Sequence, residues 1–297
     1  MARRFIDLST GFGANTGRTP GGIVQPTVTT PPPPPQPEYT ATVQLTYPNA
    51  VLAEQWGSHT VKFIANQGYS ADNVLYALGI CSDDADAFTV DGNLGQYPTS
   101  MNSFLGPFMA GGLAGYPFVG SVGFGAFASH ITDTGALFIS CTPHIGITVD
   151  GEVGYQNRKG QASTSTNCGA VHGAVGLVRT DPNPPDITQA PYNNENYELW
   201  RLADIIYPYS ASFNGTTSQN VAAATSIIRN AGFDYIKNNS GSFAGALQSR
   251  PLFAIGGTFI NTDYGYQAYV EVNQFWKYTV AGGWNNQTSA YLAGLLA

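Results

Sequence analysis

Val74-Leu75-Tyr76-Ala77-Leu78-Gly79-Ile80-Cys81 is an unbroken apolar run, entered from Asp72-Asn73 and left through Ser82-Asp83. It is too short for a core helix, and it lacks the alternation of a strand with one wet face. It therefore reads as a strand buried on both faces of a parallel sheet. Ala136-Leu137-Phe138-Ile139-Ser140-Cys141 and Leu252-Phe253-Ala254-Ile255 repeat the pattern. Around them the spacing predicts helices over residues 50–67, where Gly57 is an interruption, and over 197–206, 220–229 and 289–296. Strands interleaved with helices imply an α/β domain whose mainly parallel sheet is covered by helices. Gly is dense between Gly106 and Gly125, as in Gly111-Gly112-Leu113-Ala114-Gly115. Such a stretch suits either a loop that approaches a ligand or tight turns and close backbone packing.

Residues 1–37 stand apart. They contain Gly11-Phe12-Gly13-Ala14-Asn15-Thr16-Gly17 and Pro31-Pro32-Pro33-Pro34-Pro35 without any sustained apolar period. This predicts an extended Gly/Pro-rich tail with a polyproline II spacer, ahead of a single domain over residues 38–297. The glycines at 11, 13 and 17 lack the preceding strand and the Lys that a phosphate loop requires. No apolar run is long enough to span a bilayer, so no membrane role is expected. Met1-Ala2-Arg3-Arg4-Phe5-Ile6-Asp7 has no apolar core of a secretory signal, which predicts cytoplasmic synthesis.

Charged residues make up only 10% of the chain, against about 25% in an average soluble protein. Twelve Lys+Arg against nineteen Asp+Glu give a formal charge of −7, which opposes phosphate neutralisation and excludes nucleic acid as an expected partner. Gly, Tyr and Phe are abundant instead, a composition that also suits subunits of filaments, sheaths or virion shells.

Three cysteines, Cys81, Cys141 and Cys168, are too few for a disulfide framework. Cys81 follows the first buried strand and His144 the second, so both belong at carboxyl ends of strands, where open α/β sheets bind ligands. Cys168 opens the small-residue segment Gly169-Ala170-Val171-His172-Gly173-Ala174-Val175; a helix starting there would favour its thiolate. Two thiolates and an imidazole suit zinc with one open position. Their wide separations match no compact zinc-finger spacing, however, and a buried Cys is often only a small hydrophobe. Zinc ligation, core packing and a Cys81–Cys168 redox pair thus all fit the residues. Cys141 lies inside a strand and reads as core, His59 and His130 as surface or packing residues, and His172 as a support one helical turn beyond Cys168.

The chain resembles the limiting-CO2-inducible protein B/C family, a branch with a β-carbonic-anhydrase fold. The resemblance rests on Gly111-Gly112-Leu113-Ala114-Gly115-Tyr116-Pro117-Phe118, Gly123-Phe124-Gly125-Ala126-Phe127-Ala128-Ser129-His130-Ile131, Pro143-His144-Ile145-Gly146-Ile147 with Gly151-Glu152-Val153-Gly154, and Gly256-Gly257-Thr258-Phe259-Ile260-Asn261-Thr262, in the family's order over roughly residues 45–280. It implies a β-carbonic-anhydrase-like α/β fold, a Zn2+ ion on Cys81, His144 and Cys168, and reversible hydration of CO2 to bicarbonate by zinc hydroxide. It also implies a homodimer or higher homo-oligomer. The tail could extend this to a polymer by crossing to a neighbour.

In β-type enzymes an Asp shortly after the first Cys is held off the metal by a nearby Arg. The resemblance assigns the Asp to Asp83 as the catalytic, orienting carboxylate, but no Lys or Arg occurs between Lys62 and Arg158. Without a cation, Asp83 is expected to become the fourth ligand and close the site, unless Arg158 substitutes from another loop. Two functions follow: a zinc carbonic anhydrase, or a silent structural subunit on the same fold, part of an extracellular or virion assembly.

Overall fold

In the computed structural model the described residues are 36–81, 83, 96–109, 114–117, 121–181, 183 and 197–297. The phosphate-loop-like glycines and the polyproline run lie outside them. Gln36 and Pro37, expected to end the tail, instead begin a helix.

The strands are β1 (Val51–Leu52), β2 (Val74–Gly79), β3 (Leu105–Met109), β4 (Ala136–Cys141), β5 (His144–Gly146), β6 (Tyr155–Gln156), β7 (Ser165–Thr166), β8 (Leu252–Asn261), β9 (Tyr269–Thr279) and β10 (Gly283–Asn286). The helices are α1 (Gln36–Thr46), α2 (Ala53–Ala65), α3 (Ser121–Ala128), α4 (Gly169–Thr180), α5 (Tyr197–Ile206), α6 (Thr217–Asn238), α7 (Ser240–Leu247) and α8 (Thr288–Leu295).

The three apolar runs are β2, β4 and the start of β8, and they lie side by side. The main sheet has the order β1-β9-β8-β4-β2-β3, with β5 also on β8 and β10 on β9. Pairings among β3, β2, β4, β8 and β5 are parallel, while β9 pairs antiparallel with β8, β1 and β10.

Both faces of the central strands are covered, which is why their sequences do not alternate. Val74, Tyr76 and Leu78 of β2 and Phe138 of β4 pack with Trp56 and Ile64 of α2 and Tyr291 of α8. Leu75 and Ala77, with Leu137 and Ile139, pack against Phe233 of α6 and Phe243 of α7. A wholly buried side chain such as Phe138 contributes roughly 1.5–3 kcal/mol. A third apolar cluster joins α1, α4, α5 and α6 around Tyr39, Val175, Leu202 and Ile228.

Local sequence explains several boundaries. The helix expected over 50–67 is a two-residue strand followed by α2, and Gly57 lies inside the helix. A Cβ there would meet Ser100 Oγ at 2.1 Å, so Gly57 permits a close crossing rather than a break. The helix expected over 220–229 spans Thr217–Asn238, started by a capping box in which Thr216 Oγ1 accepts from Gln219 N–H and Gln219 Oε1 accepts from Thr216 N–H. The third run extends to Asn261 because Gly256 and Gly257 form a register shift within the strand rather than its end.

This topology builds the site. β4 and β5 run along successive halves of β8, separated by Thr142-Pro143, so His144 emerges beyond the carboxyl end of β4 and Cys81 beyond that of β2.

Candidate metal centre

The Sγ atoms of Cys81 and Cys168 and a ring nitrogen of His144 lie within 4.8 Å of one another, all on buried residues. Each arrives on a different element. Cys81 is two residues past β2, His144 is the first residue of β5, and Cys168 caps α4.

Cys168 has φ 56° and ψ 68°, left-handed values that are rare outside glycine. The cost of such a backbone is of order 1–3 kcal/mol, and it persists where surrounding structure enforces it. Enforcement is visible here: the preceding Asn167 N–H donates to Gly154 O at 2.9 Å, and β7 pairs with β6. Immediately after Cys168, α4 starts, so its free amides and dipole face the sulfur's end of the helix.

Cys81 accepts a hydrogen bond from Ala114 N–H at 3.2 Å. Its acidity is raised far above that of an ordinary thiol, first by the hydrogen bond with Cys168 and then by His144 and the Ala114 amide, which together outweigh burial. In the described part of the Gly-dense stretch, close backbone packing is what the structure shows. Ala114 reaches the sulfur, and Gly115, at φ +70°, packs where a Cβ would sit 2.6 Å from Pro143.

His144 is fully buried, and its Nδ1 lies 2.6 Å from Asn261 Oδ1. β5 approaches β6 closely. A Cβ on Gly146 would lie 2.4 Å from Tyr155 O and 2.6 Å from Asn167 Cβ, so only glycine lets β5 present His144 at this depth.

Asp83 has a cation. Arg158, just beyond β6, places Nη2 at 2.7 Å from Oδ1 and 2.9 Å from Oδ2 of Asp83. Its Nη1 donates to Ser165 Oγ and to Thr166 O, each at 3.2 Å. The expectation that Asp83 has no Arg partner is therefore corrected: Arg158 substitutes from another loop. The guanidinium is supplied from 75 residues away in the chain, a distance at which sequence proximity carries no information.

The donor set fits zinc. A tetrahedral ion with bonds of about 2.3 Å to sulfur and 2.0–2.1 Å to nitrogen sets its ligand atoms roughly 3.5–3.8 Å apart, within reach of small rotations from the present arrangement. Two sulfurs and one imidazole are the soft and borderline ligands that zinc takes.

The other candidates fall elsewhere. Cys141 is wholly buried in β4, its thiol pushed up to about 12 by burial. His59 contacts Tyr291 O at 3.0 Å, His130 lies in the turn after α3 beside Phe127, and His172 contacts Gly154 O at 2.9 Å. None of the three cysteines is in a disulfide. Sequence reasoning missed the buried amides Asn261, Asn167 and Gln156 and the half-buried Gln96. Asn261 lies inside one of the motifs that carry the family resemblance, but nothing in a lone Asn signals burial beside an imidazole.

The family model of the limiting CO2-inducible proteins B/C β-carbonic anhydrases matches residues 50–279, a span containing Cys81, Asp83, His144, Arg158, Cys168 and Asn261. Among solved structures, PtLCIB4, a homolog of the limiting CO2-inducible protein LCIB, matches with a TM-score of 0.71 and 23% identity over 83% of this chain and 98% of that one. LCIB itself matches with a TM-score of 0.58 and 16% identity over 82% and 95%. At these identities the likeness is one of fold. No curated protein matches the chain significantly. Among the described residues, no helix is long and apolar enough to cross a membrane.

Proposed function

We propose that this chain, which belongs to the limiting CO2-inducible protein B/C β-carbonic anhydrase family, is a zinc-dependent enzyme that interconverts CO2 and bicarbonate. The observation that carries the reading is the pairing of a Cys81–His144–Cys168 cluster with an Asp83 already engaged by Arg158.

Cys81 Sγ, Cys168 Sγ and a His144 nitrogen would hold the ion. Bound there, zinc supplies the Lewis acidity that lowers the pKa of water from 15.7 to about 7. Asp83, as a carboxylate, only accepts hydrogen bonds. Held by Arg158 Nη2, it is restrained from ligating and is available to take a hydrogen bond from an incoming water. Cys81 and Cys168 share an apolar cluster with Ala114, Ile145 and Val171, surroundings that suit an uncharged substrate and exclude bulk water. The engaged Asp83 argues against the capped, silent form of the fold.

Metal analysis of the purified protein tests the reading. Stoichiometric zinc, removed by a chelator together with CO2 hydration measured by stopped flow and restored with it, is expected. Zinc-independent hydration, or bound zinc without hydration, would overturn it.

A further inference from the structure

We propose that Asn261 is a positioning residue that fixes His144 in the Nδ1–H tautomer, and that the orientation of Asn261 is dictated by the main chain of Thr262. The inference rests on the metal reading above and concerns what prepares the ligand.

Two main-chain groups beside the site have hydrogen-bonding roles that are not adjustable. A backbone N–H can only donate and a backbone C=O can only accept. Thr262 N–H lies 2.9 Å from Gln96 Oε1, and Gln96 Nε2 lies 2.8 Å from Thr262 O. Both contacts fix the direction of the Gln96 amide, with its oxygen toward Thr262 N–H and its nitrogen toward Thr262 O. That oxygen also accepts from Asn261 Nδ2 at 3.3 Å, so the other amide atom of Asn261, 2.6 Å from His144 Nδ1, is its oxygen. An oxygen there requires Nδ1 to carry the hydrogen, which leaves the lone pair on Nε2.

A second route reaches the same atom. Gln156 Nε2 donates to Thr262 O at 2.8 Å, which makes Gln156 Oε1 an acceptor. It accepts from Asn167 Nδ2 at 2.7 Å, and the same Nδ2 lies 3.3 Å from Asn261 Oδ1. Two chains of amides, starting at the N–H and the C=O of one residue, agree on Asn261 Oδ1. Asn261, Thr262, Asn167 and His144 are each 0% exposed, so water does not compete at the Asn261–His144 contact, while Gln96 is half-buried. Asn167 directly precedes Cys168, so the same network also braces a second candidate ligand.

The partner of a metal-binding imidazole is usually chosen to set its tautomer and ring orientation, and its loss typically costs 10- to 100-fold in metal affinity. Here the partner is a neutral amide whose own direction is set by the hydrogen bonds beyond it.

The test uses the metal-free full chain labelled with 15N-histidine. Only four histidines are present, so variants of His59, His130 and His172 assign the signals. Long-range 1H–15N correlations are expected to show His144 as Nδ1–H in the wild-type protein. In Asn261→Leu the Nε2–H form becomes populated and zinc affinity falls about 10- to 100-fold; Asn261→Asp, which keeps an acceptor at this position, retains both tautomer and affinity. An Nε2–H tautomer in the wild type would overturn the proposal, and so would unchanged tautomer and affinity in a folded Asn261→Leu. Should that variant not fold, the wild-type spectrum still decides. A wild-type protein that holds the tautomer yet binds no zinc would sink the metal reading and leave the tautomer assignment standing.

Discussion

Arg158 Nη2 sits between the two carboxylate oxygens of Asp83, 2.7 Å from one and 2.9 Å from the other, while Nη1 is tied to Ser165 and Thr166 on the far side. Both side chains are only 16% exposed, so screening by solvent is limited. The guanidinium is thus a fixed restraint on a carboxylate two residues from a candidate metal ligand.

Removing that restraint should free Asp83 to ligate. In Arg158→Gln we expect zinc content to be retained and CO2 hydration to fall about 10- to 100-fold, the range seen when groups supporting a metal site are lost. X-ray absorption on the variant should show an added carboxylate oxygen. Full activity in Arg158→Gln would show that the pair is structural only.

The left-handed backbone of Cys168 separates function from stability. Cys168→Ala and Cys168→Gly should both lose zinc. Glycine adopts φ 56° without a Cβ penalty of about 1–2 kcal/mol, so the metal-free glycine variant should be the more stable of the two by about 1 kcal/mol in urea denaturation. Equal stabilities would mean the turn relaxes readily.

Gly146→Ala should act at a distance on His144. A Cβ at 2.4 Å from Tyr155 O meets backbone that cannot yield locally, and overpacking of this kind costs typically 1–3 kcal/mol. Because β5 carries His144, zinc affinity should fall as well. Thermal melting and zinc titration, run on the same variant, read the two effects; no change in either would place the β5–β6 approach elsewhere.

On the alkaline side, the Cys141 thiol is pushed by burial from 9.0 up to about 12. The folded state then holds a proton that the unfolded chain releases near pH 9. The stability this represents is complete below about pH 9 and is lost as pH rises toward 12. Tyr47 and Tyr291, raised mainly by burial, add to the decline from about pH 10 upward. Urea midpoints should fall above pH 9, less steeply in Cys141→Ala. An identical slope in that variant would remove Cys141 from the account.

The parallel half of the sheet was legible because strands buried on both faces spell continuous apolar runs, as β2 and β4 do. The antiparallel half was not. In β9, Glu271 is buried and Gln274 half-buried among apolar neighbours, which blurs the period of two. Gly57 misled because glycine marks a close approach as readily as a break, and only the neighbour, here Ser100, tells which. The candidate ligands could be named from strand ends together with the resemblance, while Arg158 remained one option among others until its loop was folded beside Asp83. The amides around His144 were invisible because their meaning lies in pairings between residues 96, 156, 167 and 261, none adjacent in sequence.

The central claim is that the Cys81–His144–Cys168 cluster, with Asp83 held by Arg158, forms a working hydration site. Oxygen-18 exchange between CO2 and water, followed by mass spectrometry on the zinc-loaded protein, measures it most directly. The account predicts protein-dependent loss of label from CO2 that disappears in Cys168→Ala; exchange no faster than buffer, with zinc stoichiometrically bound, would contradict it.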